Sequence, residues 1–414
     1  MQTNKRSLLD PEMLLLLSGF FYYVAIPISM AADDEISKKA LVLSLVGYAA
    51  LTLGMIAIWL IPKRLTAVRV FRPIVKLGLW YSGTVVSLGG AISALALIML
   101  IGGPRTFLMA SYGERNIFSP EVVTLALLVN YWKFGLILEY CSIAIRRRLG
   151  FWMFFLVMGS ILLLLFGTAW GRRTTVVGLL LGLMVVHHHF WRPISNRAIA
   201  AITVVLILVM VFMGQIRHSV GRESLAETLE FTREHMSILW FAPANIEFGA
   251  QFQVLSDLVR KCDYSDDFKL GYTYLSAWAL LVPRLLWKDR PRAPAESYAA
   301  EADYDYYLSG GGYAYSLLGE GYENFGFIGS ILMMFLIGAG TAQYSSWLKR
   351  SGWVARIIYA NLAYAIPLLP RMDSATILKN VLLFEILGSL LILKLLTSLF
   401  ALATSSRDTH RIKK

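Results

Sequence analysis

A chain of 414 residues that is 57% hydrophobic and only 16% charged is not composed like a soluble domain, where about a quarter of residues are charged. Its mean hydropathy of +0.59 and long uncharged runs point to a protein that crosses a membrane many times. The formal charge of +12 would suggest nucleic acid in a soluble protein, but here the cations sort by loop and no nucleic-acid partner is expected.

The fold class is all-α, a polytopic membrane helix bundle. Lys5 and Arg6 precede an apolar run of about twenty residues that reads as an uncleaved signal anchor; the alternative is cleavage after Ala32. Runs long and apolar enough to span fall near 12–31, 40–61, 78–101, 121–145, 151–170, 174–190, 198–214, 314–345, 353–370 and 376–400, about ten in all. One set of alternate ends carries 19 Lys and Arg, and the opposite short loops carry 7. That bias places both termini in the cytoplasm and the long 215–313 loop outside, in the periplasm. Three regions follow: an N-terminal bundle of seven spans over 1–214, the loop 215–313, and a C-terminal bundle of three spans over 314–414. The two cysteines, Cys141 in a span and Cys262 in the loop, show neither metal-site spacing nor an expected disulfide.

Within the loop, 222–236 has helical periodicity, with Leu225, Leu229 and Met236 on one face. Leu270 to Trp287 is apolar but broken by Gly271 and Pro283. It reads as re-entrant or interfacial, because spanning would put the basic 349–356 and 407–414 segments outside.

Arginines mark the outer level: Arg172 and Arg173 in a short turn, Arg217 closing the seventh span, Arg284, Arg290 and Arg292 in the loop, and Arg371 before the tenth span. Guanidinium is always charged and grips phosphate through two parallel hydrogen bonds, so the set reads as a pyrophosphate site; pairing with loop carboxylates or headgroups is the alternative. Gly310, Gly311 and Gly312 open a helix, either as an anion-binding turn or as a hinge. That helix carries Glu320 and Asn324 four residues apart, hence on one face. A carboxylate at this depth is costly, and Glu320 reads as a general base for a sugar hydroxyl or as the partner of an arginine. Seven tyrosines between 298 and 322, Tyr313 and Tyr322 among them, suit either sugar stacking or a membrane interface.

Asp303-Tyr-Asp305 and Asp33-Asp34-Glu35 are two-residue acidic motifs of the kind that arise by chance, and no metal is assigned to them. His187, His188 and His189 read as an interfacial turn. Lys133 and Glu385 lie at similar depth in the fourth and tenth spans, and are expected to form a buried ion pair, with a proton relay as the rival reading.

Residues 283–291 (PRLLWKDRP), residues 319–329 (GEGYENFGFIG) and the Gly-Arg-Arg turn at 171–173 resemble Wzy-type polymerases of bacterial surface polysaccharides, the oligosaccharide repeat-unit polymerase family. The resemblance implies an inner-membrane glycosyltransferase with neither cofactor nor required metal. A glycan on undecaprenyl pyrophosphate is then the donor, and a lipid-linked repeat unit is the acceptor. It also implies membrane lipids, a chain-length regulator and a flippase as partners. On this reading Glu320, Arg284 and Arg173 are catalytic, and Arg172, Arg217, Arg290, Arg371, Asn324, Tyr313 and Tyr322 bind pyrophosphate or glycan. The alternatives are a ligase that moves finished glycan to another acceptor, and a transporter of lipid-linked oligosaccharide.

Overall fold

The computed structural model describes residues 6–61, 78–109, 120–147, 151–170, 173–219, 247–282, 286–287, 289–308, 313–396 and 398. Among them every regular element is helical. In hydrocarbon a chain must satisfy its own backbone groups, and the helix does so within one segment. In chain order the helices are α1 (Pro11–Met30), α2 (Glu35–Leu60), α3 (Gly78–Leu100), α4 (Pro104–Met109), α5 (Pro120–Arg146), α6 (Phe151–Ala169), α7 (Arg173–Val186) and α8 (Asn196–Ser219). Then come α9 (Glu247–Ser265), α10 (Tyr272–Ala279), α11 (Pro294–Ala302), α12 (Tyr304–Leu308), α13 (Leu317–Arg350), α14 (Trp353–Leu362) and α15 (Ser374–Leu396).

Among the described residues seven helices are long and apolar enough to cross a membrane: α1, α2, α3, α6, α7 with its continuation to Trp191, α13 and α15. Three of the ten expected spans fall outside that set. α5 is 27 residues long and carries Lys133 and Glu139. α8 is apolar over Asn196–Leu208, as far as its side chains are described. The ninth expected span is not one helix. α14 stops at Leu362, and a 3₁₀ turn, Ile366–Arg371, follows with Pro367 and Pro370 in it. Proline has no N–H to donate and its ring clashes with the preceding turn.

Packing in the bundle relies on small residues. A side chain at Gly54 would overlap the carbonyl oxygen of Phe335, and one at Gly338 would overlap that of Leu51. α2 and α13 therefore pack backbone to backbone, as lipid-embedded helices do when dispersion drives their association. Contacts gather the helix ends into two groups. At one end Lys39 pairs with Asp263 at 2.6 Å. At the other Lys349 pairs with Asp10 and Glu12 at 2.9 Å, and Arg6 covers the Trp59 ring at 3.6 Å. Cys141 and Cys262 are both buried and free, in keeping with the absence of an expected disulfide.

The feature that positions the site is a fold in α13. Phe325 (φ −138°, ψ 20°) and Gly326 (φ 63°, ψ −150°) leave helical geometry. In an unbroken helix, residues 321 and 329 would lie about 12 Å apart. Here a Cβ on Gly321 would sit 2.8 Å from Ser330 Cα and 2.9 Å from the Gly329 carbonyl oxygen, and Ser330 Oγ donates to the Leu318 carbonyl at 2.8 Å. The eighth expected span is thus two limbs, Leu317–Asn324 doubled back against the start of a longer helix. Gly326→Ala forces a side chain into a backbone region that only glycine enters readily. The expected cost is roughly 1–3 kcal/mol, read as a lowered midpoint in thermal unfolding of detergent-solubilised protein.

The described part of the long loop lies on the doubled-back limb. α9 buries Phe252, Leu255, Val259 and Cys262, an amphipathic helix that the sequence reading passed over. α10, at eight residues, is too short to span, in accord with the re-entrant or interfacial reading of 270–287. Leu270 and Gly271 have left-handed backbone (φ 47° and 89°) and turn the chain into it. The amphipathic helix expected at 222–236 and the Gly310–Gly312 turn lie outside the described residues.

Candidate active site

Glu320 stands in the first turn of the short limb, one turn after Ser316, which caps that limb by accepting from the Gly319 N–H at 3.0 Å. Its side chain is 0% exposed. An uncompensated carboxylate buried this way would cost several kcal/mol, so the donors around it decide the matter. Oε1 accepts from the hydroxyls of Thr273 (2.8 Å) and Ser374 (2.6 Å), and Oε2 accepts from the Ser374 N–H (2.7 Å). Ser374 is the first residue of α15. The carboxylate therefore faces the positive ends of two helices, its own and α15, and both favour an anion. Three of about four lone-pair positions are filled, and one on Oε2 remains.

Asn324 closes the cluster. Its Nδ2 donates to Thr273 Oγ at 2.6 Å and to the Glu320 carbonyl at 2.7 Å, and its Oδ1 accepts from the Gly271 N–H at 2.8 Å. The N–H groups of Lys269 and Leu270 donate to the carbonyls of Glu323 and Asn324 at 2.9 and 3.1 Å. The 269–271 turn thus caps the limb that ends at the fold, satisfying carbonyls that a helix end leaves open. Asp373, 1% exposed, accepts from the N–H of Thr376 at 2.7 Å and of Ala295 at 3.1 Å, so it starts α15 and ties α11 to it. Beside Asn324, burial and then the Glu320 charge hold the Tyr274 phenol above its ordinary value, which leaves it a donor. Glu323, 8% exposed, accepts a short hydrogen bond from Tyr315.

Of the residues expected from sequence, Glu320 and Asn324 meet directly. Tyr322 points another way: its hydroxyl donates to Asp263 at 2.7 Å beside Lys39. Tyr313 packs edge-on against Tyr298 at 5.4 Å. Burial, then a hydrogen bond to Asp257, push the Tyr298 phenol above its usual range. Arg290 donates through Nη1 to the carbonyls of Leu280 (2.6 Å) and Val282 (2.8 Å), just past the end of α10. Arg371 ends the 3₁₀ turn three residues before Ser374. Arg173 begins α7 and Arg217 lies in the last turn of α8. Arg172 and Arg284 lie outside the described residues. Thr273, Ser374, Asp373 and Glu323 were missed, and Tyr315 was read only as one of the seven clustered tyrosines. Asp373-Ser374-Ala-Thr376, just after Pro370, is a helix-start pattern that could have exposed two of them.

The expected pair of Lys133 and Glu385 forms, with Nζ 3.0 Å from Oε1 and side chains 4% and 11% exposed.

These features define a multi-pass membrane protein with a buried carboxylate and its donors assembled from three separate segments. The chain belongs to the O-antigen polysaccharide polymerase Wzy family, whose sequence profile matches residues 140–402, more than half of its length. The matched stretch contains Glu320, Asn324, Thr273, Ser374 and Glu385, and Lys133 precedes it. A comparison with curated proteins and one with solved structures found no match.

Proposed function

We propose that the chain polymerises undecaprenyl-pyrophosphate-linked oligosaccharide repeat units at the outer face of the bacterial inner membrane, by glycosyl transfer that uses no metal. Support comes from the family membership, and the observation that carries the site is Glu320, buried and held by Thr273 and Ser374. An acceptor sugar hydroxyl attacks the anomeric carbon of the donor glycan. The new C–O bond forms as the bond to pyrophosphate breaks, and the pyrophosphate leaves with the electron pair. The hydroxyl proton passes to Glu320 Oε2, the oxygen with a lone pair to offer. Because the carboxylate is covered, α10 gives way at the Leu270–Gly271 turn and withdraws Thr273 when the acceptor enters. Arg284 and Arg173, with Arg172, Arg217, Arg290 and Arg371, stabilise the leaving charge as fixed donors do in a water-poor site. Asn324 and Tyr313 contact the glycan.

Arg284→Ala tests the electrostatic part. The expected result is a collapse of the glycan ladder toward a single repeat at normal protein level. Loss of a charge-stabilising donor costs on the order of 100-fold or more in rate. Long chains retained at that level would count against Arg284. Lipid-linked polymer that accumulates intact would indicate a ligase instead.

A further inference from the structure

A second buried polar cluster lies on the same helix that brings Ser374 to Glu320. Lys133 of α5 donates to Glu385 Oε1 at 3.0 Å and to the Asn361 carbonyl at 3.4 Å, and its ammonium sits 3.9 Å from the centre of the Tyr364 ring. Tyr364 donates to Oε1 of Glu385 at 2.7 Å, and Asn361 Nδ2 donates to Oε2 and to Ser389 Oγ. Both oxygens of Glu385 are therefore engaged, by groups from α5, from α14 and from the turn after it. Glu385 lies within Ile377–Gly388, twelve residues of α15 that are wound as a π-helix. A π-helix bonds each residue to the fifth along, is rare, and usually lasts a single turn, frequently at functional sites. A stretch this long needs something to hold it. Ser374 precedes it directly, with only Ala375 and Thr376 between.

We propose that Lys133 and Glu385 are positioning residues for the Glu320 site: their pairing holds α15 in the wide π register, and that register points Ser374 at Glu320. The proposal rests on Glu320 marking the site of glycosyl transfer. Successive residues of an α-helix are about 100° apart around the axis. If the wide stretch relaxes by one residue, everything on its N-terminal side turns by about that angle. Ser374 then loses Glu320, both through its hydroxyl and through its N–H. Asp373, which caps α15 and holds the first turn of α11, is carried along. An ordinary ion pair would pin helices α5 and α15 together. This one also sets which way the far end of α15 faces.

The test reads register separately from activity. The hydroxyls of Thr273 and Ser374 bond to the same oxygen of Glu320, so the two side chains are neighbours. Thr273→Cys with Ser374→Cys is expected to cross-link efficiently under copper–phenanthroline oxidation in native membranes, with the buried Cys141 and Cys262 as silent background. Into this reporter goes Lys133→Met with Glu385→Leu, which removes both charges together and so leaves no unpaired one to unfold the chain. The expected result is a several-fold drop in cross-linking. In a chain with native Thr273 and Ser374, the same pair of changes is expected to shorten the glycan. Exchanging the charges, Lys133→Glu with Glu385→Lys, is expected to restore both readouts. Lys133→Gln with Glu385→Gln, polar but neutral at both positions, is the second variant and carries the same expectations as the apolar pair. Unchanged cross-linking in the charge-free variants overturns the proposal, whatever happens to the glycan. Lost cross-linking with full-length glycan leaves the register device standing and overturns the assignment of chemistry to the Glu320 cluster.

Discussion

Glu320→Gln is expected to leave a single repeat on the lipid carrier, at a protein level close to that of the unchanged chain. The amide has the size and shape of the carboxylate. Its oxygen can still accept from the Ser374 N–H, and its nitrogen can donate to the Thr273 and Ser374 hydroxyls, which are free to rotate. What it cannot do is take a proton. Loss of a general base costs about 10²–10⁴ in rate, which in a polymerase shows as the disappearance of long chains. Glu320→Ala is a poorer test, because it strands three buried donors at about 1–3 kcal/mol apiece and acts through folding. The decisive measurement is single-turnover extension of a lipid-linked repeat by purified protein. A Glu320→Gln rate within a few-fold of the parent would assign the carboxylate a purely architectural role.

Lys133→Met alone is expected to be among the most damaging changes in the membrane interior. It leaves Glu385 with the hydrogen bonds of Tyr364 and Asn361 but without a counter-charge, in a place where water does not reach. Breaking one partner of a buried pair costs roughly 3–5 kcal/mol, whereas replacing both by apolar groups is often neutral or stabilising. The single variant should therefore fall sharply in thermal stability, and adding Glu385→Leu should bring most of it back. Equal stability of the single and parent proteins would mean that the pair adds nothing net to the fold.

Both of these residues were legible in the sequence, and for the same reason. A charge in an apolar run is costly enough to require a purpose, so Glu320, Lys133 and Glu385 stand out without any structure. The helical class was legible because lipid leaves a chain few other options. Thr273 was not legible, since threonine occurs throughout such chains, and the helix-start pattern at Asp373–Thr376 marked Ser374 without saying that the fold brings it to the same oxygen as Thr273. Tyr322 shows the converse. It was a candidate as one of seven clustered tyrosines, but two residues along a helix from Glu320 it faces another way, and its hydroxyl went to Asp263. The break after Leu362 was written in Pro367 and Pro370, yet hydropathy counted them as part of a span because it ignores backbone chemistry.

The fold at Phe325–Gly326 also settles a matter of thickness. Thirty-four residues wound as one helix would measure about 51 Å, far more than the roughly 30 Å of a bilayer's oily interior. Such an overhang has to be absorbed by steep tilting or by swelling the surrounding lipid. With the first limb laid back on the second, the portion after Gly326 is about 36 Å long and fits with a modest slant. The leftover turns become the shelf on which Glu320 and Asn324 sit, so the surplus length that would otherwise strain the lipid is what makes room for the buried carboxylate.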